Sequence, residues 1–228
     1  MKASTPVRSS ARRLLRDVLT SDIALGYAAI VLGVFLFLRL YAGGVLQESV
    51  VAAASTNLDN LQADTFTVLL YSAFVVENAS GLLLLPVLVV AYSVAQHRLG
   101  RLPLLVTLAI GHVLATLFVA PLLVHGIQAG FLPQSITHVT DVGFSYGLAA
   151  VTGLLVCTIR GRWRRAIYTV LVILAWSWVI ILGPILHVHL VRPSFTDVGH
   201  TIALFTGLAL STLPGSGQRA SRAQFDTP

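Results

Sequence analysis

Charged residues are scarce in this chain. Asp, Glu, Lys and Arg make up 11% of its 228 residues, whereas an average soluble domain carries about 25%. Hydrophobic residues account for 56%, so a water-soluble fold would lack the polar surface needed to cover its core. The composition therefore excludes the ordinary soluble classes and predicts an integral membrane protein.

Cysteine and lysine are almost absent. Cys157 is the single cysteine, which excludes an intrachain disulfide. Of the fifteen basic residues, fourteen are arginine. Together with many Ala, Val, Leu and Gly residues, this usage is typical of high-GC bacterial genes, and we expect the chain in a bacterial plasma (inner) membrane. Because its positive charge lies beside apolar segments, we expect membrane lipids and no nucleic acid as partners.

Apolar segments long enough to cross a bilayer occur about six times, since a span takes roughly 20 apolar residues. The sequence therefore predicts an all-α polytopic membrane protein with a six-helix domain at 22–213. We expect a basic tail at 1–21 and a second tail at 214–228, both polar and mobile. An outer loop at about 43–78 contains a shorter apolar piece, which predicts an element lying in the membrane interface. The spans are predicted at about 23–41, 79–96, 102–125, 141–159, 166–190 and 197–213.

The distribution of basic residues predicts the orientation of these spans. Cytoplasmic segments of membrane proteins are rich in Lys and Arg. With the amino terminus inside, thirteen of the fifteen basic residues lie in cytoplasmic segments, and only Arg39 and Arg192 lie toward the outer side. Both termini are therefore expected in the cytoplasm. The thirteen are Lys2, Arg8, Arg12, Arg13, Arg16, Arg98, Arg101, Arg160, Arg162, Arg164, Arg165, Arg219 and Arg222.

Two predicted spans begin with the same four residues, Thr-Asp-Val-Gly, at 140–143 and 196–199. Ser145 follows the first and His200 the second, which places both near the outer ends of their helices. A serine beside a histidine is the minimum for nucleophilic acyl transfer, because the imidazole can remove the hydroxyl proton and later return it. Glycines in both segments would let the two helices approach closely.

Structural readings of these residues stay open. Serine and glycine are common packing residues in membrane helices, and a histidine at a helix end is often structural. Asp141 and Asp197 are expected to cap the helix starts. The letters GFSYG also match the nucleophile elbow of soluble hydrolases, but that motif needs a strand before the serine. We reject that match because no strand is predicted.

A metal site and a transporter are the other classes that we considered. A zinc site needs three or four ligands, but the sequence has no H-E-x-x-H motif, and neighbouring histidines at 187 and 189 point to different helix faces. A transporter would carry an internal repeat or charged residues at mid-membrane, and we see neither beyond the twin Thr-Asp-Val-Gly. No metal and no cofactor is expected. The ligands considered were His125, His138, His187, His189, His200, Asp141, Asp197 and Glu77.

The arrangement resembles the rhomboid intramembrane serine proteases. The letters GFSYGLAAVTGLL resemble the rhomboid serine motif, GHTIALFTGL resembles its histidine motif, and the likeness covers roughly residues 22–213. It implies a six-helix core, a membrane-lying outer loop, and a Ser145–His200 dyad that hydrolyses peptide bonds in transmembrane protein substrates. The resemblance predicts no oligomeric state.

The sequence departs from the rhomboid pattern around the oxyanion site. Tyr146 stands where rhomboids usually have glycine after the serine, and the second span lacks the usual His and Asn side chains. We therefore expect the backbone from Gly143 to Ser145 to stabilise the oxyanion, with His112 of the third span as a replacement donor or as an interhelical hydrogen-bonding residue. Tyr146 is expected to line a substrate entrance or to anchor at the interface. The alternative function is a catalytically inactive relative that binds transmembrane segments.

Overall fold

The computed structural model describes residues 6–185 and 194–213, and within them the chain forms helices and no strand. Short π-helical and 3-10 turns extend several of the helices at their ends. The nine α-helices of these residues are α1 Pro6–Leu19, α2 Asp22–Phe37, α3 Gly43–Ala54, α4 Leu58–Ser72, α5 Leu85–Leu99, α6 Arg101–Gln128, α7 Phe144–Leu154, α8 Arg162–Ile185 and α9 Phe195–Ser211.

Three stretches of the described chain are long and apolar enough to cross a membrane, namely Asp22–Tyr41, Gly81–Leu99 and Arg101–Gln128. The helices Gly44–Ala54 and Phe144–Thr158 are apolar but shorter. The predicted all-α membrane fold is therefore confirmed. The count of six spans stays a prediction, and the end of the fifth predicted span, with His187 and His189, lies outside the described residues.

The first predicted tail differs from its expected form. Residues Pro6–Leu19, expected to be mobile, form α1, which packs against the carboxyl end of α5. His97 Nε2 lies 2.9 Å from the carbonyl oxygen of Asp17, and Ser21, directly before α2, is completely buried and donates to Gln96 Oε1 at 3.0 Å. These contacts hold the turn between α1 and α2 against α5.

The fourth predicted span begins later than expected. We predicted a helix from Asp141, but α7 begins at Phe144. The preceding backbone is bound instead to the connection between α3 and α4: Asp141 N–H donates to Ser55 Oγ at 2.8 Å, and Thr56 N–H donates to the Asp141 carbonyl at 2.8 Å. Gly143 N–H donates to the Ser72 carbonyl at 3.1 Å. Because these groups already have partners, the helix starts after them.

Helix α7 lies at the centre of the bundle, and every one of its residues except Thr152 is buried. It packs between α5, α6 and α9. Its contact with α9 depends on glycine, because a Cβ at Gly207 would lie 1.8 Å from the carbonyl oxygen of Ala150. Small residues allow this close approach of two helix backbones, as expected inside a bilayer.

Candidate functional site

Ser145 and His200 contact each other at the end of the bundle where α7 and α9 begin. Ser145 Oγ lies 2.8 Å from His200 Nε2, within hydrogen-bond distance. Ser145 is the second residue of α7 and is 6% exposed, whereas His200 is half-buried in the second turn of α9. The close packing of these two helices brings together residues that are 55 positions apart in the chain.

Two aromatic rings pack against the imidazole of His200. The Tyr146 ring meets it edge to face, with centroids 5.2 Å apart. The Trp176 ring of α8 lies 4.9 Å away at an interplanar angle of 42°. The indole N–H of Trp176 donates to Thr152 Oγ1 of α7 at 3.0 Å, which fixes the ring. An imidazole packed against two aromatic rings has few rotamers left, which keeps its Nε2 directed at Ser145.

The sequence predicts Tyr146 at a substrate entrance or at the membrane interface. In the structure its side chain is completely buried, so it lies at neither place. Its ring packs directly on the backbone of α9, where a Cβ at Gly199 would lie 2.5 Å from it. Its hydroxyl donates to Asp141 Oδ2 at 2.6 Å. A buried tyrosine of this kind usually pairs its hydroxyl, and here the pairing joins the start of α7 to a buried carboxyl group.

Asp141 is the centre of a buried hydrogen-bond network beside the Ser145–His200 pair. Thr196 Oγ1 of α9 donates to its Oδ1 at 3.1 Å, and Thr56 Oγ1 donates to its Oδ2 at 3.1 Å. Asp141 lies in the loop before α7, where burial raises the pKa of its carboxyl and the hydrogen bonds from Tyr146, Thr56 and Thr196 partly oppose that rise. One side chain therefore connects the loop between α3 and α4 with α7 and α9.

The two aspartates of the Thr-Asp-Val-Gly twin have different surroundings. Asp197 lies at the start of α9 but is not its N-cap as predicted: Ser194 is the N-cap, and Asp197, three residues later, accepts from the Ser194 N–H in a capping box. Asp141 does not cap α7, since the N-cap position is Gly143 and has no side-chain cap. The capping prediction for Asp141 is wrong because its carboxylate oxygens accept from the side chains of Thr56, Tyr146 and Thr196 instead.

His112 lies in α6, with its ring against Gly143, where an added Cβ would be 2.0 Å from the imidazole. Its Nε2 is 2.9 Å from the Leu69 carbonyl and 3.1 Å from Ser72 Oγ. A carbonyl only accepts, so Nε2 carries the proton and the neutral ring has an acceptor at Nδ1. Nδ1 is buried without a hydrogen-bond partner. The interhelical hydrogen bond that the sequence left open is therefore present, and a neutral His112 has no free N–H for an oxyanion.

Backbone amides at the start of α7 are the remaining donors near Ser145. The first N–H groups of a helix have no intrahelical acceptor, and they carry the positive end of the helix dipole. Ser145 is the second residue of α7, two positions after the N-cap Gly143, so its N–H belongs to this first turn. The arrangement thus places a hydroxyl, an imidazole and a positively polarised helix end in one region.

No group of three His, Cys, Asp or Glu side chains able to hold a metal ion occurs in residues 6–185 and 194–213. Of the histidines considered as ligands, His138 pairs with Asp59 at 2.5 Å and His200 contacts Ser145. His187 and His189 lie outside the described part of the chain.

Sequence reasoning missed Trp176, Thr56 and Thr196 as neighbours of the site. Nothing in the spacing of α8 marks Trp176 as facing His200, because its place depends on how α8 crosses α7 and α9. Asp141 did carry a signal, as an acidic residue near the apolar span that holds Ser145. An acidic residue at such a position indicates a polar site, but Asp141 is explained from the sequence as a helix cap.

Comparison with known proteins identifies the family of this chain. A model of the family described as rhomboid-like protein matches residues 24–220. Searches of curated proteins and of solved structures found no match. The matched region contains Ser145, His200 and every helix from α3 to α9. The chain belongs to the rhomboid-like family.

Proposed function

We propose that this protein is an intramembrane serine protease in which Ser145 and His200 form the catalytic dyad. The observation that carries the proposal is the 2.8 Å contact between Ser145 Oγ and His200 Nε2 in a chain of the rhomboid-like family. The apolar helices around the pair support a substrate that is itself in or beside the membrane. No cofactor takes part in the proposed reaction.

The proposed reaction has two steps. Ser145 Oγ attacks the carbonyl carbon of a peptide bond while its proton passes to His200 Nε2. The tetrahedral intermediate then breaks its C–N bond, and His200 gives the proton to the leaving amine. A water molecule attacks the resulting ester, gives a proton to His200, and releases the carboxylic product as Ser145 regains its hydrogen.

The oxyanion is assigned to backbone donors. We infer that the Ser145 N–H and the first turn of α7 from Gly143 onward stabilise it, helped by the helix dipole. His112 supports this turn by filling the space that Gly143 leaves open, and it would donate to an oxyanion only as an imidazolium. Tyr146 supports the dyad by packing against His200.

A fluorophosphonate probe tests this proposal, because it reacts covalently with activated serines. We expect the purified full-length protein to be labelled, and the label to disappear in Ser145→Ala and to fall by orders of magnitude in His200→Ala. Ser177→Ala is a matched control, because Ser177 is equally buried and is bound to Thr201 rather than to a histidine. Labelling of this control should equal that of the unaltered protein.

The same probe separates the alternatives. An unlabelled but folded protein would overturn the protease and favour an inactive relative that binds transmembrane segments. Labelling abolished by chelators would favour a metal-dependent enzyme instead.

We also propose a location in a bacterial inner membrane with both termini in the cytoplasm. The thirteen-to-two division of basic residues between the two sides supports this orientation. A reporter domain that works only in the cytoplasm should be active when fused to either terminus, and one that works only after export should be inactive. Activity of the export-dependent reporter at either terminus would overturn the orientation.

A further inference from the structure

Helix α1 has two chemically different sides. Ala11, Leu14, Leu15 and Val18 follow the i, i+3, i+4, i+7 spacing of an apolar helix face. The arginines at 12, 13 and 16 share the opposite side, and all three are exposed. This part of the helix carries one acidic residue, Asp17, which is 3.9 Å from Arg16. The helix is therefore both amphipathic and basic.

The apolar side of α1 is largely exposed, and only Val18 near its carboxyl end is half-buried. Leu14 is 39% exposed and Leu15 is 59% exposed. Leaving such side chains in water would be unfavourable. Single exposed leucines are ordinary, but several on one face of a basic helix are typical of a helix lying in a membrane interface.

The surroundings of Val18 show which environment this side faces. Val18 lines an open groove of about 470 Å³ between α2 and α5, together with Ala28, Leu32, Pro86 and Val89. Every residue that lines the groove is apolar. Since α2 and α5 belong to stretches long and apolar enough to cross a membrane, the apolar side of α1 meets an apolar surface of two candidate spans at Val18.

We propose that α1 binds anionic phospholipid, with its leucines among the upper acyl chains and Arg12, Arg13 and Arg16 against the headgroup phosphates. Charge complementarity selects this partner, because α1 contains four arginines (Arg8, Arg12, Arg13 and Arg16) and a single acidic residue, Asp17. The contacts of His97 and Ser21 hold the end of α1 at the edge of the groove. The proposal depends neither on the Ser145–His200 dyad nor on the direction of the spans.

Fluorescence quenching in vesicles tests this proposal on the full-length chain. In a Cys157→Ser background, Leu15→Cys is labelled with a small fluorophore and the protein is placed in mixed phosphatidylcholine and phosphatidylglycerol vesicles. Each lipid in turn carries a nitroxide near the top of its acyl chain. We expect strong quenching by lipid nitroxides, weak quenching by aqueous iodide, and a clear preference for phosphatidylglycerol over phosphatidylcholine.

Arginine variants show whether α1 itself selects the lipid. The α1 variant combines Arg12→Gln, Arg13→Gln and Arg16→Gln. We expect the preference for phosphatidylglycerol over phosphatidylcholine to fall by about fivefold for each arginine that is replaced. The matched control, Arg160→Gln with Arg162→Gln and Arg164→Gln, removes three exposed arginines elsewhere and should leave it unchanged.

Three results would overturn the proposal. The first is quenching by iodide rather than by lipid, which would mean that Leu15 faces water or a soluble partner. The second is equal quenching by the two lipids. The third is an equal loss of the phosphatidylglycerol preference in the α1 variant and in the control variant. If the α1 variant does not fold, the proposal is still tested by the labelled protein that keeps all three arginines, through its quenching by iodide and by each of the two lipids.

Discussion

The Tyr146 hydroxyl donates a 2.6 Å hydrogen bond to Asp141 Oδ2, while the ring of the same tyrosine packs against His200 with centroids 5.2 Å apart. Asp141 also accepts from Thr196, four residues before His200 on α9. One buried carboxyl group is thus connected to the helix that carries the serine and to the helix that carries the histidine. This relationship makes the network around Asp141 part of the support of the proposed dyad.

Tyr146→Phe removes the hydroxyl and keeps the ring. We expect the free energy of unfolding to fall by about 1–3 kcal/mol, because the buried Asp141 Oδ2 loses one of its two donors and keeps only Thr56 Oγ1. We also expect fluorophosphonate labelling of Ser145 to slow. Thermal unfolding in detergent and labelling rates measure both effects. Tyr168→Phe is the control, since Tyr168 donates at 3.0 Å to the Thr152 carbonyl away from the dyad. If the control slows labelling as much, Tyr146 has no special role.

Trp176→Ala opens one side of the His200 imidazole, whose ring centroid lies 4.9 Å from the indole. We expect labelling of Ser145 to slow about tenfold or more, because a small misplacement of a catalytic base can reduce rates strongly. Trp178→Ala is the matched control, because Trp178 is 49% exposed and two residues away on α8. Equal labelling rates in the two variants would show that the indole does not position His200.

Gly207→Leu places a side chain where the Ala150 carbonyl already lies. Because the obstacle is backbone, α7 and α9 must separate, and we expect at least about 1–3 kcal/mol of destabilisation with loss of labelling. Gly33→Leu tests the same substitution where nothing lies within 4 Å of an added Cβ. Thermal unfolding of both variants measures the difference, and similar midpoints would contradict the close helix contact.

Asp141→Asn tests the raised pKa of the Asp141 carboxyl. A carboxyl whose pKa is higher in the folded than in the unfolded chain stabilises the fold fully below its unfolded pKa, at about pH 4. That contribution is lost as the pH rises through the raised folded value. Unfolding midpoints of the unaltered protein should therefore decrease with pH across this window, relative to Asp141→Asn, which does not titrate at this position. Parallel curves for the two proteins would show that burial does not raise this pKa.

The sequence led us to expect Ser145 near His200, and their side chains are 2.8 Å apart. This expectation was possible because alternating spans place the starts of the fourth and sixth segments at one end, and glycine permits close packing. The all-α membrane fold followed from apolar segments whose length is fixed by the bilayer. The catalytic roles of the two residues stay predictions.

Other features depend on contacts that no local pattern contains. The start of α7 at Phe144 follows from hydrogen bonds between Asp141 and Thr56, which are 85 residues apart. The burial of Tyr146 follows from the glycine backbone of α9. The sequence predicts a tail at residues 1–21 because this segment is polar and rich in Ser and Arg, although the amphipathic spacing of α1 is present in it.

Hydrolysis of a transmembrane segment tests the central claim most directly. The protein and a panel of reporter transmembrane segments would be placed together in vesicles, and both peptide fragments would be identified by mass spectrometry. The account predicts paired fragments from a single cut in or near a reporter's membrane segment with the unaltered protein, and none with Ser145→Ala or His200→Ala. Fragments formed at equal rates by the Ser145→Ala protein would contradict it.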